Sequence, residues 1–445
     1  MAVPAEVPGP DDGPAPTVGH GVPVLARHRP GAEVTTVSVW LLRGSRHEDS
    51  PGLTHLLEHV LVRAAPPGRP APVDELEALG AEVDAVTTRD HLVLHARVPS
   101  PEAAEALDVL ARAVTAERFD EDLVATERRV VDEELRLAAS DPHDAVHDGF
   151  FRVAFAGQRM GEPVGGTPGA VARLGAADLG AWAARHRHAG TVAVVTGGAL
   201  TEDDVLRTLA GGPLTALPPA PPSAPRPGPP DATSGRIDLA LNSDTTAVVV
   251  GGHAVALDDP RLPAAEVLLE LLAGSAGSLL HEELRTRRGL CYEVWGLVTG
   301  YRDAGVWRVA LPTAPEHRDR VVELACDALA GAAAEPRRLF DAARVAVAAR
   351  RTAALARLDA ESSLEEVLRR GRHRLVGGDH RWTVAGHAAA LRAVTAGEVA
   401  ACARTLLDRL VVATAGGAGA ATAEPPENRK EGAWSATPRP ADGHG

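Results

Sequence analysis

Lysine is almost absent from this chain: of 46 basic residues only Lys430 is a lysine, and the rest are arginine. With so much Ala, Gly and Pro, that bias reads as a GC-rich coding sequence rather than a functional signal. Basic stretches are missing too. The formal net charge is −14, with nothing to offset it locally, which excludes a nucleic-acid-binding protein. No uninterrupted apolar run reaches the roughly 18 residues a membrane-spanning helix needs. Cysteine is scarce: Cys291, Cys326 and Cys402 are odd in number and widely spaced. That excludes a disulfide framework, a zinc knuckle or a redox pair, and fits a reducing compartment. Met1 to Pro16 is acidic and Pro-rich, without the basic start and apolar stretch of a signal peptide, so the expected location is cytoplasmic.

What is present is a globular balance. With 445 residues, 45% hydrophobic and 24% charged, the chain can build two or three ordinary domains, each with its own core. Residues 1–17 and 414–445 read as unstructured ends. Residues 217–235, LPPAPPSAPRPGPPDATSG, read as an extended Pro-rich linker between domains at 18–216 and 236–413. In the first domain, strands are expected at 34–42, 81–88, 91–98 and 192–195. Helices are expected at 53–62, 73–79, 101–115 (with Ser100 as N-cap) and 120–140. In the second, strands are expected at 247–251, 291–298 and 306–312, and helices at 262–273 and 278–288, the latter stopped by Gly289. The fold class is therefore α+β: two domains of similar plan, each a mostly antiparallel sheet packed with helices.

The segment His55-Leu56-Leu57-Glu58-His59 carries the chemistry. On a helix, His55 and His59 are four apart and share a face, so both imidazoles can reach one ion. Glu58 lies at the edge of that face, where it can hold water beside a metal without ligating it. His-x-x-Glu-His is the inverted order of the common zinc-protease helix. Chance is a real rival in a chain with 18 histidines, and two solvated histidines would look the same. The 120–140 helix weighs against chance. It carries Glu127 and Glu134, two turns apart on one face. Glu134 would complete a two-His, one-Glu zinc site with an open fourth position, and Glu127 would sit behind it, orienting a ligand histidine.

These residues together resemble the insulinase/pitrilysin family of zinc peptidases, closest to its short, mitochondrial-processing-peptidase-like members. Glu134 follows His59 by 75 residues, as the family's third ligand does. Leu42-Arg43-Gly44-Ser45-Arg46-His47-Glu48 with Pro51-Gly52-Leu53 resembles the family's approach to its zinc helix, and Gly161 to Thr167 its Gly-x-Pro-x-x-Gly loop. In the second half, Arg285 and Tyr292, seven apart, match the family's Arg/Tyr pair, which holds the substrate and polarises the scissile carbonyl. The resemblance covers about residues 18–413. It implies a zinc metalloendopeptidase with Zn2+ on His55, His59 and Glu134, and with Glu58 as general base. Tyr292 and Arg285 would act on the oxyanion.

The resemblance further implies that a peptide substrate adds as a strand to the edge at residues 82–87, around Asp84 and Ala85. Asp84 stands where the family usually has Asn; it keeps an acceptor, loses the amide donor and adds charge, a shift toward basic peptides. Residues 62–65, Val-Arg-Ala-Ala, also depart from the usual Phe-x-Gly-Thr. Family members of this length form half a clamshell, with the zinc of one half facing the Arg/Tyr of the other. The expectation is thus a homodimer, or a heterodimer with a paralogue, acting in peptide turnover or leader removal. One rival is a non-catalytic peptide-binding subunit of the same fold, which typically loses a histidine or the glutamate. A zinc-stabilised structural protein is another; it would favour four closed ligands, often cysteines, and none lies near.

Overall fold

The computed structural model describes residues 15–221 and 230–417. Two sheets organise them. The first contains β1 (Thr17–Val18), β2 (Val22–His28), β3 (Val34–Leu41), β4 (Glu82–Thr87), β5 (Leu92–Pro99) and β6 (Val192–Gly198), in the order β1-β2-β6-β3-β5-β4. The second contains β7 (Gly235–Leu239), β8 (Thr246–Ala254), β9 (Trp295–Gly300), β10 (Gly305–Ala310) and β11 (Val411–Gly416), in the order β7-β11-β8-β10-β9. In each sheet one pair is parallel, β2 with β6 and β7 with β11; every other pairing is antiparallel. Apart from the short β1, the second sheet repeats the first strand for strand, so the similar plan read from the sequence holds as topology.

Helices cover both faces of the first sheet. β3 supplies Val37, Val39 and Leu41 to one core, together with Leu56, Leu57, Val60 and Leu61 of α1 (Leu53–Arg63) and Leu107 and Leu110 of α3 (Ala103–Val114). Between α1 and β4 runs α2 (Pro72–Ala78). On the opposite face Trp40, Val93 and Val195 pack against Leu257, Val367 and Val376 of the second half. There Thr36 Oγ1 meets Ser363 Oγ at 2.7 Å, and the helix Ser363–Gly371 lies across the strands. The exchange is reciprocal. After α4 (Glu121–Ser140), α5 (Pro142–Ala154) brings Phe150 and Phe151, with Phe155 just beyond it, onto Val249, Val306 and Val411 of the second sheet. Each lobe thus lends one helix to the other's sheet. A buried ion cluster ties them further: Arg46 pairs with Asp303 (2.7 and 2.5 Å) and with Asp90 (3.3 Å).

Several sequence-based boundaries move. Strand β11 runs to Gly416, so residues 414–416 belong to the sheet rather than to a tail, while residues 418–445 lie outside the described residues. The proposed linker is partly structured: Leu217 is buried, the Pro218 carbonyl accepts from Ala189 N (2.9 Å) and β7 begins at Gly235; residues 222–229 lie outside the described residues. Thr17 already pairs in β1, and residues 1–14 are likewise outside. Ser100 does not cap α3. It lies in a short 3-10 turn, and its hydroxyl donates to the Ala32 carbonyl (2.6 Å), which outcompetes the local cap. The helices expected at 262–273 and 278–288 both relax into π-helical turns, Glu270–Gly274 and His281–Thr286.

Candidate metal centre

Gly52, at the cap position just before α1, has a left-handed backbone (φ 87°). A side chain there would collide: a Cβ would fall 2.5 Å from the Gly165 carbonyl oxygen and 2.7 Å from Val171 Cγ2. From that start, the 3.6-residue period buries Leu53, Leu56, Leu57, Val60 and Leu61 and leaves His55, Glu58 and His59 half-buried on the other face. α4 packs alongside. Its buried side is Val124, Glu127 and Val131, and Glu134 stands at the rim, 53% exposed.

The helices bring together the three residues that the sequence pairs across 75 positions. One potential ligand atom each from His55, His59 and Glu134 lies within 4.8 Å of the others. His55 Nε2 is 3.7 Å from Glu134 Oε1, and His59 Nε2 is 3.5 Å from Glu134 Oε2. A tetrahedral zinc with ligands at about 2.0–2.1 Å separates them by about 3.4 Å, so this donor set fits a shared ion. His55 Nδ1 is buried against the Gly165 loop, without a hydrogen-bond partner among the described residues; His59 Nδ1 faces Glu127 Oε2 at 3.4 Å. Glu127 is 5% exposed and also pairs with Arg63 Nε (3.4 Å), so it stands behind His59 as the sequence suggests. Burial pushes the His55 imidazole below its usual range, outweighing the pull of Glu134.

Glu58 stands outside the trio. Its Oε2 accepts from the Thr87 hydroxyl, and burial raises its carboxyl above the usual range against the effects of Thr87 and His59. Thr87 ends β4, and among the described residues β4 is an edge strand, paired only with β5. Asp84 and Ala85 sit mid-strand, opposite His95 and Leu94. The Asp84 carboxylate is exposed, accepts from Ala85 N (2.8 Å) and lies 3.9 Å from the buried His95 Nε2.

Arg285 and Tyr292 sit together in the second lobe. Arg285 Nη1 meets His281 Nε2 at 2.9 Å, and its guanidinium lies 5.4 Å from the Tyr292 ring centre. Tyr292 is 85% exposed and precedes the strand expected to hold it: only an isolated bridge from Cys291 to Thr313 occurs there, and β9 starts at Trp295. Among the described residues, no hydrogen bond, ion pair or ring contact joins Arg285 or Tyr292 to His55, Glu58, His59 or Glu134. Two contributors escaped the sequence reading. Thr87 gives no signal without knowledge of where β4 meets α1. Glu48, in the turn before α1, is recognisable in principle as a carboxylate four residues ahead of a helix that starts on glycine.

Comparison with known proteins agrees with this architecture. Residues 23–168, which hold every member of the centre, match the family described as insulinase (peptidase family M16). Residues 173–348, which hold Arg285 and Tyr292, match the peptidase M16 inactive domain. An uncharacterized zinc protease of Streptomyces coelicolor is 29% identical over 70% of each chain, and one of Mycobacterium tuberculosis is 29% identical over 88% of this chain and 90% of its own. Among solved structures, a peptidase M16 inactive domain from Pseudomonas fluorescens superposes with a TM-score of 0.79 at 20% identity, covering 90% of this chain and 97% of that one. A protease from Helicobacter pylori gives 0.77 at 17%, over 90% and 98%. This is an insulinase-type, two-lobed α+β fold. The chain belongs to the M16 peptidase family.

Proposed function

We propose that the chain is a zinc-dependent endopeptidase that hydrolyses peptides docked as an added strand on β4. The convergence of His55, His59 and Glu134 from two helices carries this reading. These three would hold the zinc, and relatives named zinc proteases support the choice of metal. When bound, zinc lowers the pKa of water and polarises a carbonyl. Glu58, steadied by Thr87, takes the proton of the attacking water and passes it to the leaving amine. Glu127 holds His59 from behind. The free edge of β4 offers backbone groups to an extended peptide, and Asp84 favours a basic side chain there.

Tyr292 and Arg285 act as the oxyanion partners, supplied by a second chain. The lack of any contact between them and the metal trio among the described residues, and the exposure of Tyr292, favour a homodimer over a self-sufficient monomer; a paralogue could fill the same role. Three free cysteines fit work in the cytoplasm. Two experiments test the reading. A quenched peptide should be cleaved by the purified chain, silenced by chelator and restored by Zn2+; no cleavage by a protein holding stoichiometric zinc refutes the enzyme. Glu58→Gln and Tyr292→Phe chains, each inactive, should regain about a quarter of the parent activity when mixed, since random twofold pairing rebuilds that fraction of sites. No recovery refutes the shared site.

A further inference from the structure

Helix α1 has to start without a cap of its own. Ser, Thr, Asp or Asn usually accepts from the first free amides of a helix. Here Gly52 occupies the cap position, and the Gly165 carbonyl and Val171 leave no room for a side chain. The opposite side is equally tight, since a Cβ on Gly166 would fall 2.6 Å from Pro51 and Gly52. Glu48 fills the gap from four residues upstream. Its Oε2 accepts from Gly52 N (2.8 Å), and its Oε1 accepts from Thr54 N (2.8 Å) and from the Thr54 hydroxyl. Glu48 is 5% exposed and Thr54 fully buried, so both carboxylate oxygens are committed to the first turn of the helix.

A residue's rotation on a helix is 100°, so a slip of one position at this end would swing His55 and His59 away from α4. Hydrogen bonds to the amides of Gly52 and Thr54, two residues apart, and to a hydroxyl fix rotation as well as position, which a single cap bond does not. We propose that Glu48 is a positioning residue of the metal centre: as a buried substitute cap it sets the rotational register at which His55, Glu58 and His59 face Glu134. The inference rests on the zinc reading above and adds a residue to it. It touches neither the metal nor the substrate, so its effect should reach metal affinity and turnover through α1, leaving peptide docking on β4 unchanged.

The test measures Zn2+ affinity by competition with a chromogenic chelator, together with kcat and KM, for the parent, Glu48→Gln, Glu48→Asp and Thr54→Val. Thr395→Ala, which removes the cap of a second-lobe helix, is the control for lost stability alone. Glu48→Gln should weaken zinc by about 10–100-fold, the usual range for supports of metal ligands, and lower kcat with KM little changed. Thr54→Val, which loses only one of the three donors, should lie between Gln and parent. Glu48→Asp keeps the charge but is too short to reach both amides, and should resemble Gln rather than restore the parent. Thr395→Ala should melt earlier with zinc affinity within twofold of the parent. Unchanged zinc affinity in folded Glu48→Gln, or in Thr54→Val should the Gln chain not fold, overturns the positioning role while leaving the metal reading intact. Absence of zinc binding in the parent removes the metal reading itself, and this inference with it.

Discussion

Replacing Arg46 with Met tests whether the lobes are locked at the doorway of the metal helix. Arg46 lies two residues before Glu48 and reaches across to the β9–β10 turn of the other lobe, where Asp303 accepts two hydrogen bonds, while Asp90 in the β4–β5 turn of its own lobe lies 3.3 Å away. The side chains of Arg46, Asp90 and Asp303 are 11%, 3% and 11% exposed. Burial alone would lower the Arg46 pKa, but Asp303 and Asp90 outweigh it and hold the guanidinium charged. Met keeps the stem and removes the charge, leaving two carboxylates facing each other in a poorly hydrated site. Breaking a buried pair in this way costs about 3–5 kcal/mol. The lower end applies, because Asp90 keeps its bond from Arg302 N (2.9 Å).

Urea unfolding followed by tryptophan fluorescence should therefore show a loss of about 3 kcal/mol for Arg46→Met. Adding Asp303→Asn removes one of the stranded charges and should recover at least about 1 kcal/mol. The exposed pair Arg185–Asp49 is the internal comparison, with side chains 53% and 67% exposed. Arg185→Met should cost no more than about 1 kcal/mol. Equal losses at Arg46 and Arg185 would refute the claim that the cluster is a desolvated lock.

Three further outcomes are expected. Glu58→Gln should keep one zinc per chain, since Glu58 is outside the trio, and lose about 10²–10⁴ in turnover; metal analysis with single-turnover kinetics checks both. Thr87→Val should lower kcat by about tenfold, near 1.4 kcal/mol, with peptide affinity unchanged, and Thr87→Ser should restore it; a rise in KM alone would place Thr87 in docking instead. Stability should fall by several kcal/mol between pH 7 and 5, because burial holds His47, His91 and His147 near pKa 3 and His373 near 2. Each binds a proton in the unfolded chain near 6.5 but not in the native one, so each contributes stability above pH 6.5 that is lost below it, about 2 kcal/mol by pH 5. Glu48, raised by burial to about 7, works the other way and offsets about one of the four. A flat urea midpoint across this range would contradict the burial of these imidazoles.

Much of the centre was legible because its geometry is local. Four-residue spacing on a helix fixes His55 against His59, seven-residue spacing fixes Glu127 against Glu134, and only the meeting of two helices had to be inferred. The hairpin around Arg89-Asp90 was also readable, while the edge position of residues 82–87 came from the family resemblance. What stayed hidden is non-local. α5 is amphipathic in any reading, yet nothing in its period says that Phe150 and Phe151 cover the second sheet rather than the first. The π-turns at Glu270–Gly274 and His281–Thr286 arise within runs that read as plain helix. Tyr292 falls outside β9 because residues 291–294 form only an isolated bridge, although their pattern suits a strand.

The repeat of the two lobes sets the candidate metal centre beside a counterpart in the second lobe. In the first lobe α1 follows β3, and α4 follows the β4–β5 hairpin; in the second, Leu262–Leu269 follows β8, and Ala342–Asp359 follows the β9–β10 hairpin. Just past Leu262–Leu269, in the π-turn, Glu270 accepts from Arg351 of Ala342–Asp359 at 2.7 and 2.8 Å. Glu270 is 9% exposed, and burial raises its carboxyl against the pull of that arginine. The second lobe thus carries its own cation on the long helix, where the first presents two imidazoles and a carboxylate. An arginine closes the contact permanently and leaves no open position, which suits a lobe that matches the inactive domain of the family. In the first lobe Arg63 of α1 pairs instead with Glu127 of α4 (3.4 Å), behind His59, and Glu134 stays half-exposed at the rim. A divalent cation held by His55, His59 and Glu134 would join the helices in front of that pair and retain a free face for water and substrate.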